Sequence, residues 1–166
     1  MHPDRQHELK PDIRWTPIGS GRLALWHRPG RRHFAALRDG GVTHLVTLLS
    51  EREGARAIGE QADAAGLRWV WLPMAGAKEP EASARQILDE GLARLSHLLD
   101  DGGWLLIHCS AGIHRTSMFA YALLRYRGLS RDAALSAIEQ SRRHTHEGLA
   151  EHHVRWGDDV AAHQRT

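Results

Sequence analysis

The stretch WLLIHCSAGIHRTSMFA (residues 104–120) decides the fold, because it joins two kinds of pattern through a short loop. Its first part, 104–107, is a short apolar run after a DGG turn, which is typical of a buried strand. Residues 118–126, MFAYALLRY, have the character of a helix. The single cysteine of the chain, Cys109, lies at this strand–helix junction, six residues before Arg115.

The same kind of alternation continues outward from this stretch in both directions. Further strands are predicted over 22–27, 43–50 and 67–74, and helices over 53–66, 80–100, 116–127, 130–143 and 152–163, with a short helix closed by Gly40. Strands that alternate with helices indicate an α/β fold with a mostly parallel central sheet of four to five strands and helices on both faces. In such sheets the ligand crevice lies beyond the carboxyl ends of the strands, where Cys109 is placed.

Length and composition favour one globular domain. The chain has 166 residues, 42% apolar and 25% charged, with a formal charge of +2. We predict an irregular N-terminal arm over 1–21 and one domain over 22–166. No apolar run approaches the roughly 20 residues of a membrane span, and the first residues lack the apolar core of a signal peptide. One cysteine excludes an internal disulfide framework, so the sequence predicts a cytoplasmic protein.

The loop after Cys109 has the composition of an oxyanion site. Small residues and Gly112 allow consecutive N–H groups to point inward, and such a nest on a helix N-terminus binds a tetrahedral anion. Arg115 can close the site with two parallel hydrogen bonds. The same positive field favours a thiolate at Cys109, and the Thr116 hydroxyl is placed to donate to that sulfur. These residues predict a nucleophile beneath a bound phosphate.

HCSAGIHRT resembles the HCx5R(S/T) signature of cysteine-dependent protein tyrosine and dual-specificity phosphatases. The order and length of the elements between 22 and 143 are similar to those of the compact dual-specificity type. The resemblance implies that Cys109 forms a phosphocysteine, that Thr116 assists its departure in the second step and that His108 orders the loop. It implies no metal and no cofactor. The phosphate-binding residues would be Ser110, Ala111, Gly112, Ile113, His114 and Arg115.

The general acid departs from the family pattern. The family carries an Asp on a mobile loop before the cysteine, but this chain has no Asp between Asp63 and Asp89. One interpretation makes Glu79 the acid, or Glu81 beside it. A second gives the role to His114, since imidazole exchanges protons near neutral pH. The third has no dedicated acid, and then only good leaving groups depart quickly, or the protein mainly binds phosphate.

These features predict a phosphomonoester hydrolase acting on phosphotyrosine or phosphoserine/threonine of proteins. A phosphatase of a phosphoinositide, a nucleotide or an RNA 5′ end is the alternative, and a phosphate-binding module is another. The expected partner is a phosphorylated protein or a small phosphomonoester. The basic turn at 27–32 lacks aromatic interleaving, so no nucleic-acid binding is expected. The histidines of 144–153 fit no tight metal signature. Arg142 and Arg143 either end a helix or border the phosphate crevice.

Overall fold

The computed structural model describes residues 11–164, which form a five-stranded sheet and seven helices. The strands are β1 (Thr16–Ile18), β2 (Gly21–Trp26), β3 (His44–Thr47), β4 (Arg68–Trp71) and β5 (Trp104–His108). The helices are α1 (Phe34–Asp39), α2 (Ala55–Ala64), α3 (Ala82–Asp100), α4 (His114–Tyr126), α5 (Arg131–Ser141), α6 (Arg143–Glu147) and α7 (Glu151–Gln164). Short 3₁₀ turns lie at Arg31–His33 and Glu51–Glu53.

The sheet has the order β1-β2-β5-β3-β4. β5 is central and pairs in parallel with β2 and β3, β3 pairs in parallel with β4, and β1 runs antiparallel to β2. The prediction of an α/β fold with a mostly parallel sheet is confirmed. Since β2, β3, β4 and β5 are parallel, their carboxyl ends meet at one edge, where the segments after Trp26, Thr47, Trp71 and His108 converge.

The core surrounds β5 and α4. Leu105, Leu106 and Ile107 are fully buried, and nine residues of α4 are buried. α4 packs closely on α7 at Gly157, where an added Cβ would lie 2.3 Å from the ring of Tyr121. This burial on several sides holds the start of α4 in a fixed position relative to the end of β5.

The N-terminal arm contains a strand that the sequence analysis did not predict. Thr16–Ile18 forms β1, and β2 begins at Gly21, so the segment 11–21 is not irregular throughout. Pro17 obscured this strand, because proline is tolerated in strands mainly at an edge, and β1 pairs with β2 alone within the described residues. The rest of the predicted arm, 1–10, lies outside the described residues.

Two helix predictions also differ from the structure. α4 begins at His114 rather than Thr116, so the loop after Cys109 is shorter than predicted. α6 was not predicted: its five residues are too short for a clear apolar period, and it directly follows α5. Over residues 11–164, no helix is both long and apolar enough to cross a bilayer.

Candidate active site

Cys109 immediately follows β5 and is 3% exposed. The Thr116 hydroxyl, in the first turn of α4, donates to its Sγ over 3.0 Å. Thr116 is fully buried, so the hydroxyl is held against the sulfur by packing. A donor aimed at sulfur stabilises the negatively charged form of the thiol.

The carbonyl groups of the loop after Cys109 are turned toward the body of the protein. The Cys109 carbonyl accepts from His108 Nδ1 at 2.9 Å. The next carbonyl, of Ser110, accepts from the backbone N–H of Arg28 at 2.9 Å, in the basic turn that follows β2. The loop is thus attached on this side to the strand that neighbours β5.

Two residues beyond α5 hold the middle of the loop. Arg142 Nη1 donates to the carbonyls of Ala111 and Gly112 at 3.0 and 2.9 Å. The Thr145 hydroxyl, in α6, donates to Gly112 O at 2.6 Å. Arg142 therefore ends α5 and supports the loop from the side of its carbonyls, whereas Arg143 pairs with Glu147 at the surface.

The direction of these carbonyls fixes the direction of the N–H groups. The Ile113 carbonyl accepts from Ser117 N, so every carbonyl from 109 to 113 has a protein donor. In a trans peptide the N–H of the next residue points opposite to the carbonyl, so the N–H groups of 110–114 face the other side of the loop. The N-terminus of α4 adds its positive dipole there. The arrangement is a concave nest suited to a tetrahedral anion.

Gly112 makes this geometry possible. Its φ is +71°, a left-handed conformation that favours glycine. An added Cβ would lie 2.1 Å from the carbonyl oxygen of Trp26, at the end of β2. Backbone conformation and close approach thus both require glycine at this position.

Arg115 is held by Glu53, which the sequence analysis did not identify. Arg115 Nη1 and Nη2 donate to the two carboxylate oxygens of Glu53 at 2.7 and 2.8 Å, and Nη1 also donates to Met74 O at 3.0 Å. The hydrogen bonds from Arg115 lower the pKa of Glu53 to about 2, and Glu53 raises the pKa of Arg115. The pair therefore stays ionised across the pH range of ordinary assays, and it fixes the plane of the guanidinium.

The sequence contains a signal for Glu53, the motif S-x-x-E in the turn after β3. Ser50 N and Ser50 Oγ donate to Glu53 Oε1 at 3.1 and 3.0 Å, in a capping box that begins shortly after the end of β3. The motif S-x-x-E at the end of a predicted strand places an acid at the carboxyl edge of the sheet. The Arg28 side chain also donates to the Glu53 carbonyl, while the backbone N–H of the same residue donates to Ser110 O in the loop.

The two candidate acids lie in different surroundings. Glu79 is 70% exposed on its side chain and pairs with Arg85 of α3 at 3.1 Å. His114 lies at the start of α4, and its Nδ1 donates to Gly148 O at 3.1 Å. Within the part of the chain that the structure covers, neither side chain makes a hydrogen bond to Cys109 or Arg115. The assignment of an acid stays a prediction.

The segment between β4 and α3 is tied to α7. His153 Nδ1 accepts from Ala150 N at 2.9 Å, so its proton is on Nε2, which donates to Ala77 O at 3.2 Å. His152 Nε2 donates to the same oxygen at 2.8 Å. Burial lowers the pKa of His153, which favours the neutral ring that this pattern requires. The path of the Glu79 segment is therefore set by α7.

Comparison with known proteins identifies the family. The family described as "Polymorphic toxin system, DSP-PTPase phosphatase" matches residues 22–128. The chain belongs to this phosphatase family. No curated protein matches the sequence.

Solved phosphatase structures share the fold of this DSP-PTPase chain. One is kinase-associated phosphatase with its catalytic-site cysteine replaced by serine, with 19% identity, TM-score 0.74 and coverage of 92% of this chain and 97% of that one. PTPMT1 in complex with PI(5)P has 18% identity, TM-score 0.72 and coverage of 91% and 96%. The core catalytic domain of the PP-IP phosphatase SIW14 from S. cerevisiae, in complex with citrate, has 15% identity, TM-score 0.61 and coverage of 87% and 83%.

In the histidine-rich segment of this DSP-PTPase chain, two side chains hydrogen-bond to backbone. His152 and His153 bond Ala77 O, and His146 lies near Glu139. Among the residues that the structure describes, no group of three or more His, Cys, Asp or Glu side chains is placed to hold a metal ion.

Proposed function

We propose that this phosphatase hydrolyses phosphomonoesters through a phosphocysteine at Cys109. The observation that carries the proposal is the direction of the loop: the carbonyls of 109–113 are all bonded to protein donors, so the N–H groups of 110–114 face the opposite side, where an anion would bind above Cys109. A phosphate bound there would lie directly in front of the sulfur. The Thr116 hydroxyl, which donates to the sulfur, supports the same assignment.

The mechanism follows from these positions. The Cys109 thiolate attacks phosphorus, an S–P bond forms and the P–O bond to the leaving oxygen breaks. The N–H groups of the loop and the Arg115 fork hold the three peripheral phosphate oxygens as charge shifts during transfer. Water then attacks phosphorus, the S–P bond breaks and inorganic phosphate leaves. In that step Thr116, which donates to Sγ, stabilises the departing thiolate.

We propose phosphotyrosine of proteins as the preferred substrate class. Glu79 is paired with Arg85 and His114 Nδ1 donates to Gly148 O, so neither candidate acid is bonded at Cys109 or Arg115 to protonate a poor leaving group. A phenol, with a pKa of about 10 in tyrosine, leaves far more readily than an alkyl alcohol. Slower hydrolysis of phosphoserine or phosphothreonine follows from the same argument.

Matched phosphopeptides test this function. A peptide carrying phosphotyrosine and the same peptide carrying phosphoserine are compared by phosphate release, with para-nitrophenyl phosphate as reference. We expect kcat/KM for phosphotyrosine to exceed that for phosphoserine by about 10²-fold or more, the scale of a missing general acid. Equal rates would contradict the leaving-group argument. If none of the three substrates releases phosphate, the result would contradict the proposed hydrolysis and favour a phosphate-binding module.

A phosphoinositide is the second candidate substrate. The observation that favours it is the basic turn after β2, where the Arg28 backbone N–H donates to Ser110 O and Arg31 and Arg32 are exposed. The neighbour PTPMT1 is solved in complex with PI(5)P. Short-chain PI(5)P in the same phosphate-release assay distinguishes the two classes. A kcat/KM above that of the phosphotyrosine peptide would favour the lipid headgroup.

A further inference from the structure

Three hydrogen bonds connect the outermost parallel strand to the backbone of Cys109. Trp69 Nε1 in β4 donates to Thr47 Oγ1 in β3 at 2.9 Å. Thr47 Oγ1 lies 2.7 Å from His108 Nε2 in β5. His108 Nδ1 lies 2.9 Å from the carbonyl oxygen of Cys109. The chain of bonds crosses three adjacent strands and ends at the peptide between Cys109 and Ser110.

The direction of each bond is determined by chemistry. A carbonyl oxygen only accepts, so His108 Nδ1 carries a proton and donates to Cys109 O. Burial lowers the pKa of His108 to about 4, so the ring is neutral near pH 7 and Nε2 is a bare acceptor. The Thr47 hydroxyl must therefore donate its one proton to Nε2, and its lone pair receives the Trp69 N–H. All donors point toward Cys109.

Packing restrains all three side chains. Thr47 and His108 are both fully buried. Trp69 is held by α2, where a Cβ added at Gly59 would lie 2.5 Å from the indole ring. Trp69 also stacks on Trp71 with ring centroids 5.5 Å apart. The bonds are fixed by packing, and in a low-dielectric interior each polarises the next.

We propose that Thr47 and Trp69 are positioning residues for the nucleophile, acting through His108. Donation from Thr47 fixes the tautomer and orientation in which His108 holds the Cys109 carbonyl. A peptide whose carbonyl accepts a strong hydrogen bond has a more strongly polarised N–H on its other side. That N–H, of Ser110, faces the anion site and the sulfur. This role rests on the proposed phosphocysteine mechanism, although its main readout is independent of turnover.

The test measures how the rate of Cys109 alkylation by iodoacetamide depends on pH. Thr47→Val keeps the shape of the side chain but removes the donor, and its alkylation midpoint should move about one pH unit upward. Thr47→Ser restores the hydroxyl and should return the midpoint to that of the wild type. Trp69→Phe should give a smaller shift in the same direction. The cations that act on the sulfur, Arg115 and Arg142, are unchanged in all variants.

Trp71→Phe is the matched control. It keeps the aromatic stack and removes an indole N–H that donates to Leu49 O. This bond is not one of the three that lead to Cys109, so the alkylation midpoint should stay unchanged. An unshifted midpoint in folded Thr47→Val, or equal shifts in Trp69→Phe and Trp71→Phe, would overturn the proposal. Should Thr47→Val fail to fold, the comparison of Trp69→Phe with Trp71→Phe decides it. If the alkylation midpoints shift as expected in a protein that shows no turnover, the positioning role of Thr47 and Trp69 stands and the proposed function is rejected.

Discussion

Replacing Cys109 by serine is expected to reduce the turnover of para-nitrophenyl phosphate by about 10⁶-fold, the scale seen when an enzyme loses its nucleophile. The serine hydroxyl has nearly the shape of the thiol, but at neutral pH it is not ionised and cannot form the S–P bond. The N–H groups of 110–114, Arg115 and Thr116 stay in place in this variant. Binding of inorganic phosphate should therefore persist.

Two measurements check this prediction together. Steady-state phosphate release gives the loss of turnover, and isothermal titration with inorganic phosphate gives the affinity for the anion. Ser136→Ala, on the exposed face of α5, is a control that should retain wild-type turnover. Cys109→Ser with turnover within tenfold of the wild type would end the assignment of the nucleophile. Loss of turnover together with loss of phosphate binding would indicate a collapsed loop instead.

The second large effect is expected at Arg115. Arg115→Lys keeps the charge but removes the planar fork that meets two oxygens at once. The loss should be about 10³-fold in kcat/KM, within the range reported for arginines that stabilise phosphoryl transfer. Lysine also cannot reproduce the two bonds to Glu53, so the remaining charge is less well placed.

Arg127→Lys is the matched control for this substitution. Arg127 is also mostly buried, with 11% side-chain exposure, and it pairs with Asp100 at 2.7 Å, but it lies away from the Cys109 loop. Its replacement should change kcat/KM less than about threefold, with any effect confined to stability. Similar losses for the two variants would show that Arg115 acts through folding rather than through phosphate. The loss of kcat/KM in Glu53→Gln should lie between the losses of these two variants, because this substitution weakens the hold on the Arg115 guanidinium without removing it.

The fold and the centre of the site could be predicted from the sequence because both depend on local pattern. Strand and helix periods around 104–120 are contiguous in the chain, and the spacing from Cys109 to Arg115 is a property of one loop. Thr116 and His108 adjoin that loop, so their contacts with the sulfur and the backbone follow from neighbouring positions.

The residues that support the loop come from distant parts of the chain. Glu53 is 62 positions from Arg115, and the two meet only because β3 neighbours β5 in the sheet. Thr145 reaches Gly112 through α6, a helix too short to be predicted. The Glu79 segment could not be placed from local pattern either, because its path depends on the bonds from His152 and His153 to Ala77.

The most direct test of the central claim is a crystal structure of the wild-type protein with vanadate, which adopts the geometry of a phosphoryl group in transfer. Our account predicts vanadium bonded to Sγ of Cys109, with its equatorial oxygens accepting from the N–H groups of 110–114 and from the Arg115 side chain. Vanadate bound elsewhere, with the sulfur uncontacted and the loop carbonyls still bonded to their protein donors, would contradict it.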